Sequence, residues 1–68
     1  MSEFASVLRS RVQSTQWKLA AAREAEHDYE IHLHVARIKD LLDLARRNDV
    51  DTTTWIDPAE LVAAEYAE

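Results

Sequence analysis

The sequence contains no cysteine and no glycine, and its single proline is Pro58. Without cysteine the chain has no disulfide and no zinc–thiolate site, and without glycine it cannot form a glycine-rich phosphate-binding loop. A chain of 68 residues buries only about 60% of its unfolded surface, so its own core is marginal. The remaining ways to stabilise so small a domain are a histidine–carboxylate metal site or a partner subunit.

Long apolar runs are also missing. No stretch approaches the roughly 20 apolar residues of a membrane span, and the first residues lack the apolar core of a secretory leader. We therefore expect a soluble, cytoplasmic protein, for which the lack of cysteine is typical. The net charge of −5 argues against nucleic acid as the main partner.

The charge is divided unevenly along the chain. Residues 1–23 carry four basic side chains against one acidic side chain, a net +3, whereas residues 24–68 carry four against twelve, a net −8. This division fits two copies that pack antiparallel, and it equally fits ordinary variation in a short chain. The basic N-terminal half leaves nucleic-acid binding as a further alternative.

Residues that favour helix dominate the chain from position 3 to position 47, and nothing in that range interrupts them. Ser2 is a suitable N-cap, and Asn48 tolerates the left-handed conformation that often follows a helix. The simplest prediction is one helix over about residues 3–47, roughly 65 Å long.

A second, short helix is predicted after a polar connector at residues 48–57. Asp57 can cap it, Pro58 suits its first position, and the pattern continues to about residue 67. Ten residues are too few for a stable isolated helix, so this segment must dock on another element.

The apolar side chains of the long helical segment fall on two faces. At about 100° per residue, the faces of the first and second halves lie roughly 140° apart on a straight helix. The first face consists of Phe4, Val7, Leu8, Val12, Leu19 and Ala22, and the second of Ile31, Val35, Ile38, Leu42 and Ala45.

Two structures can accommodate this change of face. In the first, which we favour, the helix is continuous and is buried on two sides within a bundle. In the second, the helix breaks near residues 24–30, with Asp28 capping a second helix, and the chain forms a hairpin. The changeover sequence REAEHDYE contains none of the residues that usually form a tight helical turn, which favours the continuous helix.

We therefore predict an all-α fold in which residues 1–68 form a single small domain that assembles as a helical-bundle homo-oligomer, with a dimer favoured. A short helix cannot cover both faces of a long one, and exposed apolar surface forfeits about 25 cal/mol per Å². The predicted interface residues are Phe4, Leu8, Val12, Trp17, Leu19, Ile31, Val35, Ile38, Leu42, Trp55 and Leu61.

One set of residues indicates metal chemistry. Glu24 and His27 have the Glu-x-x-His spacing with which ferritin-like bundles place two ligands in their core, and His34 lies two turns further on. The more ordinary interpretation is that these polar residues mark the crossover between the two apolar faces.

The function predicted from the sequence is that of a non-enzymatic protein–protein interaction module, an adaptor, regulator or assembly factor. It is expected to have no catalytic residue and no cofactor. The expected partner is a second copy or another protein, with neither nucleic acid nor membrane as a partner. A metal-binding bundle protein that uses Glu24 and His27 is the alternative.

Overall fold

The computed structural model describes residues 2–57 and 59. Within them the chain forms two helices and no strand: α1 (Glu3–Glu24) and α2 (Asp28–Arg47) pack against each other as a hairpin. The all-α prediction is confirmed for this part of the chain. The single helix predicted over about residues 3–47 is wrong, and the alternative with a break near residues 24–30 is confirmed. The longest dimension is 36 Å, about the length of α1 alone.

Residues 25–27 separate the two helices, and their backbone forms a Schellman motif. The N–H of His27 donates to the carbonyl oxygen of Ala22 at 2.9 Å, and the N–H of Glu26 donates to that of Arg23 at 3.2 Å. Glu26 has a φ of 57°, in the left-handed region that glycine usually occupies in this motif. The turn therefore forms without any of the residues that are typical of a tight helical turn.

The bend is imposed by packing between the helices. A left-handed glutamate costs about 1–2 kcal/mol, whereas full burial of one large aliphatic side chain gains about 1.5–3 kcal/mol. Reversing the chain turns the two apolar faces towards each other and buries many such side chains. The local cost is small beside that gain.

The predicted N-cap is present in α1 and differs in α2. The Ser2 hydroxyl oxygen accepts the N–H of Ala5 at 3.1 Å, which confirms Ser2 as the N-cap of α1. The N-cap of α2 is His27, whose side chain forms no capping hydrogen bond. Asp28, the predicted cap, is the first helical residue, and its negative charge there interacts favourably with the positive end of the helix dipole.

The end of α2 repeats the geometry of the bend. Asp49 has a φ of 59°, and the N–H of Val50 donates to the carbonyl oxygen of Ala45 at 2.9 Å. The left-handed residue is thus Asp49, one position after the predicted Asn48. Asn48 ends the helix, and its side-chain amide donates to the carbonyl oxygen of Leu44 at 2.9 Å.

The buried side chains form one seam between the helices. Along each helix they recur in alternating steps of three and four residues, as in a coiled coil. Five buried positions of α1 and five of α2 form pairs whose members lie at equal sequence distances before and after Ala25. Equal distances from the bend place the two members of each pair at the same height in an antiparallel pair of helices. Those of α1 are Ala5, Leu8, Val12, Thr15 and Leu19, and their counterparts are Ala45, Leu42, Ile38, Val35 and Ile31.

The connector folds back onto this seam. Trp55 and Ile56 are buried in the same apolar cluster, and Val50 packs against it. A carboxylate oxygen of Asp57 accepts the N–H of Ala59 at 2.9 Å, the bond expected of a helix N-cap. The rest of the short helix predicted over about residues 58–67, including Leu61, lies outside the described residues.

Candidate interaction surface

A groove runs along one side of the hairpin, between α1 and α2. Its walls are built from the residues that immediately precede core positions on each helix. In an antiparallel pair these positions lie on the same side of the seam, because the helices have one handedness and opposite directions. The α1 wall is Phe4, Val7, Arg11, Ser14 and Lys18, and the α2 wall is His34, Arg37, Leu41 and Leu44, with Asp40 at the edge.

The end of the groove furthest from the bend is apolar. Phe4, Val7 and Leu44 expose 44%, 46% and 42% of their surface, whereas Leu41 between them is buried. Isolated apolar side chains on a surface are ordinary, but here both helices contribute neighbouring ones to a single concave patch. No described residue covers this patch.

The middle of the groove is basic. Arg11, Lys18 and Arg37 line it together with the half-buried His34, and Asp40 is the only acidic residue among the described ones in its lining. Among residues 2–57 and 59, the three cations form no ion pair. A molecule with a net charge of −5 therefore carries a local positive strip beside an apolar patch.

Most of the residues predicted to form an interface lie in the core of the single chain. Eight of them are buried there: Leu8, Val12, Leu19, Ile31, Val35, Ile38, Leu42 and Trp55. Of the others, Phe4 lies in the groove and Trp17 is 79% exposed on the outer side of α1. Leu61 is outside the described residues. Because the bend lets the two apolar faces cover each other, these faces do not need a second copy to bury them.

The residues that sequence reasoning did not place in an interface are those of the groove walls, notably Val7, Arg11, Arg37 and Leu44. Each of these residues immediately precedes a core residue, and this spacing is visible in the sequence. A helical wheel drawn for two separate helices, instead of for one, would have placed them on the same side of the core.

The metal candidates are separated by the bend. Glu24 is the last residue of α1 and His27 precedes α2, so they no longer share a helix face. His34 lies in the groove two turns along α2. Within the described ranges no group of three or more histidine, aspartate or glutamate side chains is arranged to hold a metal ion. The metal site stays a prediction that no contact supports.

The fold and the groove define the class of this protein as a small helical hairpin with an open apolar and basic face. No protein-family model, no curated protein and no solved structure matches the chain. Neither described helix is sufficiently long and apolar to cross a membrane.

Proposed function

We propose that this chain is a non-enzymatic protein–protein interaction module that acts as a homo-oligomer, most simply a dimer, and that binds through the groove. Its biological role would be that of an adaptor, regulator or assembly factor. The observation that supports the proposal is the apolar end of the groove, where Phe4, Val7 and Leu44 are each more than two-fifths exposed beside the buried Leu41.

In so small a chain, exposed apolar side chains are unexpected. A domain of 68 residues has few apolar side chains to spare, because its stability is expected to be only about 0.05–0.15 kcal/mol per residue. Three large apolar residues on one concave surface are then better explained by a binding partner than by the fold. A helix laid along the groove would complete a bundle, the arrangement that helical hairpins favour.

The test is the mass of the full chain in solution over a dilution series, with one variant in each wall. The wild type should rise from 7.8 kDa towards twice that mass as concentration increases. Val7→Asp and Leu44→Asp should each remain monomeric, because a carboxylate in the contact must be desolvated without a partner. Circular dichroism would verify that both variants retain their helices.

Ala36→Asp is the matched control. Ala36 is exposed on α2 on the side of the seam away from the groove, and an aspartate there lowers helix propensity at least as much as at position 44. This variant should associate like the wild type. The proposal would be overturned if the wild type stayed monomeric at every concentration. It would also be overturned if both wall variants dimerised as strongly as the wild type.

A further inference from the structure

The charges of the groove restrict what can occupy it. If two copies met groove to groove, the strip formed by Arg11, Lys18 and Arg37 would face its own copy, and Asp40 is the only acidic side chain that the described part of the chain adds to each groove. Like charges in direct opposition across an interface are unfavourable. The natural occupant is therefore a segment with apolar anchors and acidic side chains.

The end of this same chain has that composition. Residues 60–68 contain three glutamates, no basic residue, and the apolar side chains of Leu61, Val62 and Tyr66. Leu61 precedes Glu65 by four residues, the same step that separates Val7 from Arg11 and Arg37 from Leu41 in the groove walls. An apolar residue on the patch would thus bring a carboxylate to the basic strip.

We propose that the groove of each protomer binds the acidic C-terminal segment, residues 60–68, of a second copy, so that two chains exchange these segments reciprocally. This inference rests on the proposed function and names the occupant of its site. Two identical contacts related by a two-fold axis close the assembly at a dimer.

The path of the connector favours a second copy over the same chain. No residue of the range 48–57 lines the groove, and Trp55 and Ile56 are buried against the seam instead. Because the described connector does not enter its own groove, a second copy is the simpler acceptor of the segment that follows it.

Charge exchange in the full-length chain tests the proposal. The groove variant carries Arg11→Glu and Arg37→Glu, and the tail variant carries Glu60→Lys, Glu65→Lys and Glu68→Lys. Each alone should weaken dimerisation by about tenfold or more, since attraction becomes repulsion in both contacts. Mixing the two should restore a dimer, because each groove then meets a tail of opposite charge. The chain that carries all five substitutions should dimerise again by itself.

The outcomes separate this inference from the function on which it rests. A dimer that withstands both sets of substitutions retains self-association but overturns the exchange of C-terminal segments. If the mixture stays monomeric although each variant is folded, the exchange is likewise overturned. A wild type that is monomeric throughout overturns the proposed self-association and the exchange together. If the segments are exchanged, rising salt concentration should weaken dimerisation of the wild type, because it screens the charged contacts. A dimer held by the apolar patch alone should be less sensitive to salt.

Discussion

The N–H of His27 donates to the carbonyl oxygen of Ala22 at 2.9 Å, and this bond closes the reversal of the chain between the two helices. It requires the intervening Glu26 to adopt a left-handed backbone with a φ of 57°. A side chain with a Cβ is strained there, and no capping bond or ion pair of Glu26 offsets the strain among the described residues.

Replacing Glu26 by glycine should therefore stabilise the hairpin. Removal of the left-handed penalty, about 1–2 kcal/mol, exceeds the entropy cost of a glycine, about 0.5–1 kcal/mol. We expect a net gain of about 0.5–1 kcal/mol in the free energy of unfolding, measured by urea denaturation. Gln13→Gly, at an exposed position inside α1, should instead lose about 1 kcal/mol. A Glu26→Gly variant that loses stability would mean that the chain does not bend in this way.

Thr15 is a polar side chain within the apolar seam, at the height of Val35. Its hydroxyl donates to the carbonyl oxygen of Arg11 at 2.8 Å, a bond that satisfies the hydroxyl but adds little to the helix. Thr15→Val should raise the free energy of unfolding by about 0.5–1 kcal/mol, because an isosteric apolar group replaces a buried hydroxyl.

Thr15→Ser is the matched control for that experiment. It retains the hydroxyl and removes the methyl group from the seam, so it should lower stability by about 1 kcal/mol. The placement of Thr15 in the core would be contradicted if the valine variant were the less stable of the two.

The two tryptophans should report opposite environments. Trp55 is 6% exposed and Trp17 is 79% exposed. In the Trp17→Phe variant the remaining Trp55 should emit at short wavelength and resist quenching by iodide, and its emission should shift to the red on unfolding. In the Trp55→Phe variant the remaining Trp17 should be quenched freely in the folded state. Trp17→Phe should change stability by less than about 0.5 kcal/mol, as expected of a surface site. Equal quenching in both variants would remove Trp55 from the core.

The connector contains a carboxylate with a shifted pKa. The N–H of Thr53 donates to Asp51 at 2.9 Å, and this bond, together with one from the Thr53 hydroxyl, holds the pKa of Asp51 below its ordinary value of 3.8. Because the folded pKa is lowered, the contribution to stability is present above the unfolded pKa. It is lost as pH falls through the folded pKa, below 3.8.

An NMR titration of the Asp51 carboxyl, repeated in concentrated urea, measures that shift directly. The folded chain should titrate at lower pH than the unfolded chain. Thr53→Ala should move the pKa part of the way back, because the backbone donor remains. A folded pKa at or above the value in urea would contradict the turn geometry.

The sequence predicted the helical composition of the chain and the Ser2 cap, because both follow from local chemistry. It also identified most of the two apolar faces that form the sides of the seam: all five residues of the second face are buried, whereas Phe4 and Val7 of the first face are exposed. It did not predict the bend, because the left-handed residue there is Glu26. The conformational energy of that residue is a local cost, and the packing that offsets it is between residues distant in the chain.

The groove was missed for a related reason. On one straight helix, Val7 and Leu44 are a long way apart, so the spacing that they share relative to the core does not bring them together. They become neighbours only when the chain reverses direction at the correct residue. The position of the bend therefore decides which exposed side chains act together, and that position depended on tertiary packing.

The matching of core positions about Ala25 has a consequence for how the chain folds. The pair nearest the bend, Leu19 and Ile31, closes a loop of only residues 20–30, and each later pair extends a helix that has already begun. Loop closure then costs little entropy at each step. Helical folds dominated by such short-range contacts reach the native state in about microseconds to milliseconds. The hairpin can close from the bend outwards, and the end that carries Phe4 and Leu44 would be the last part to form and the first to fray.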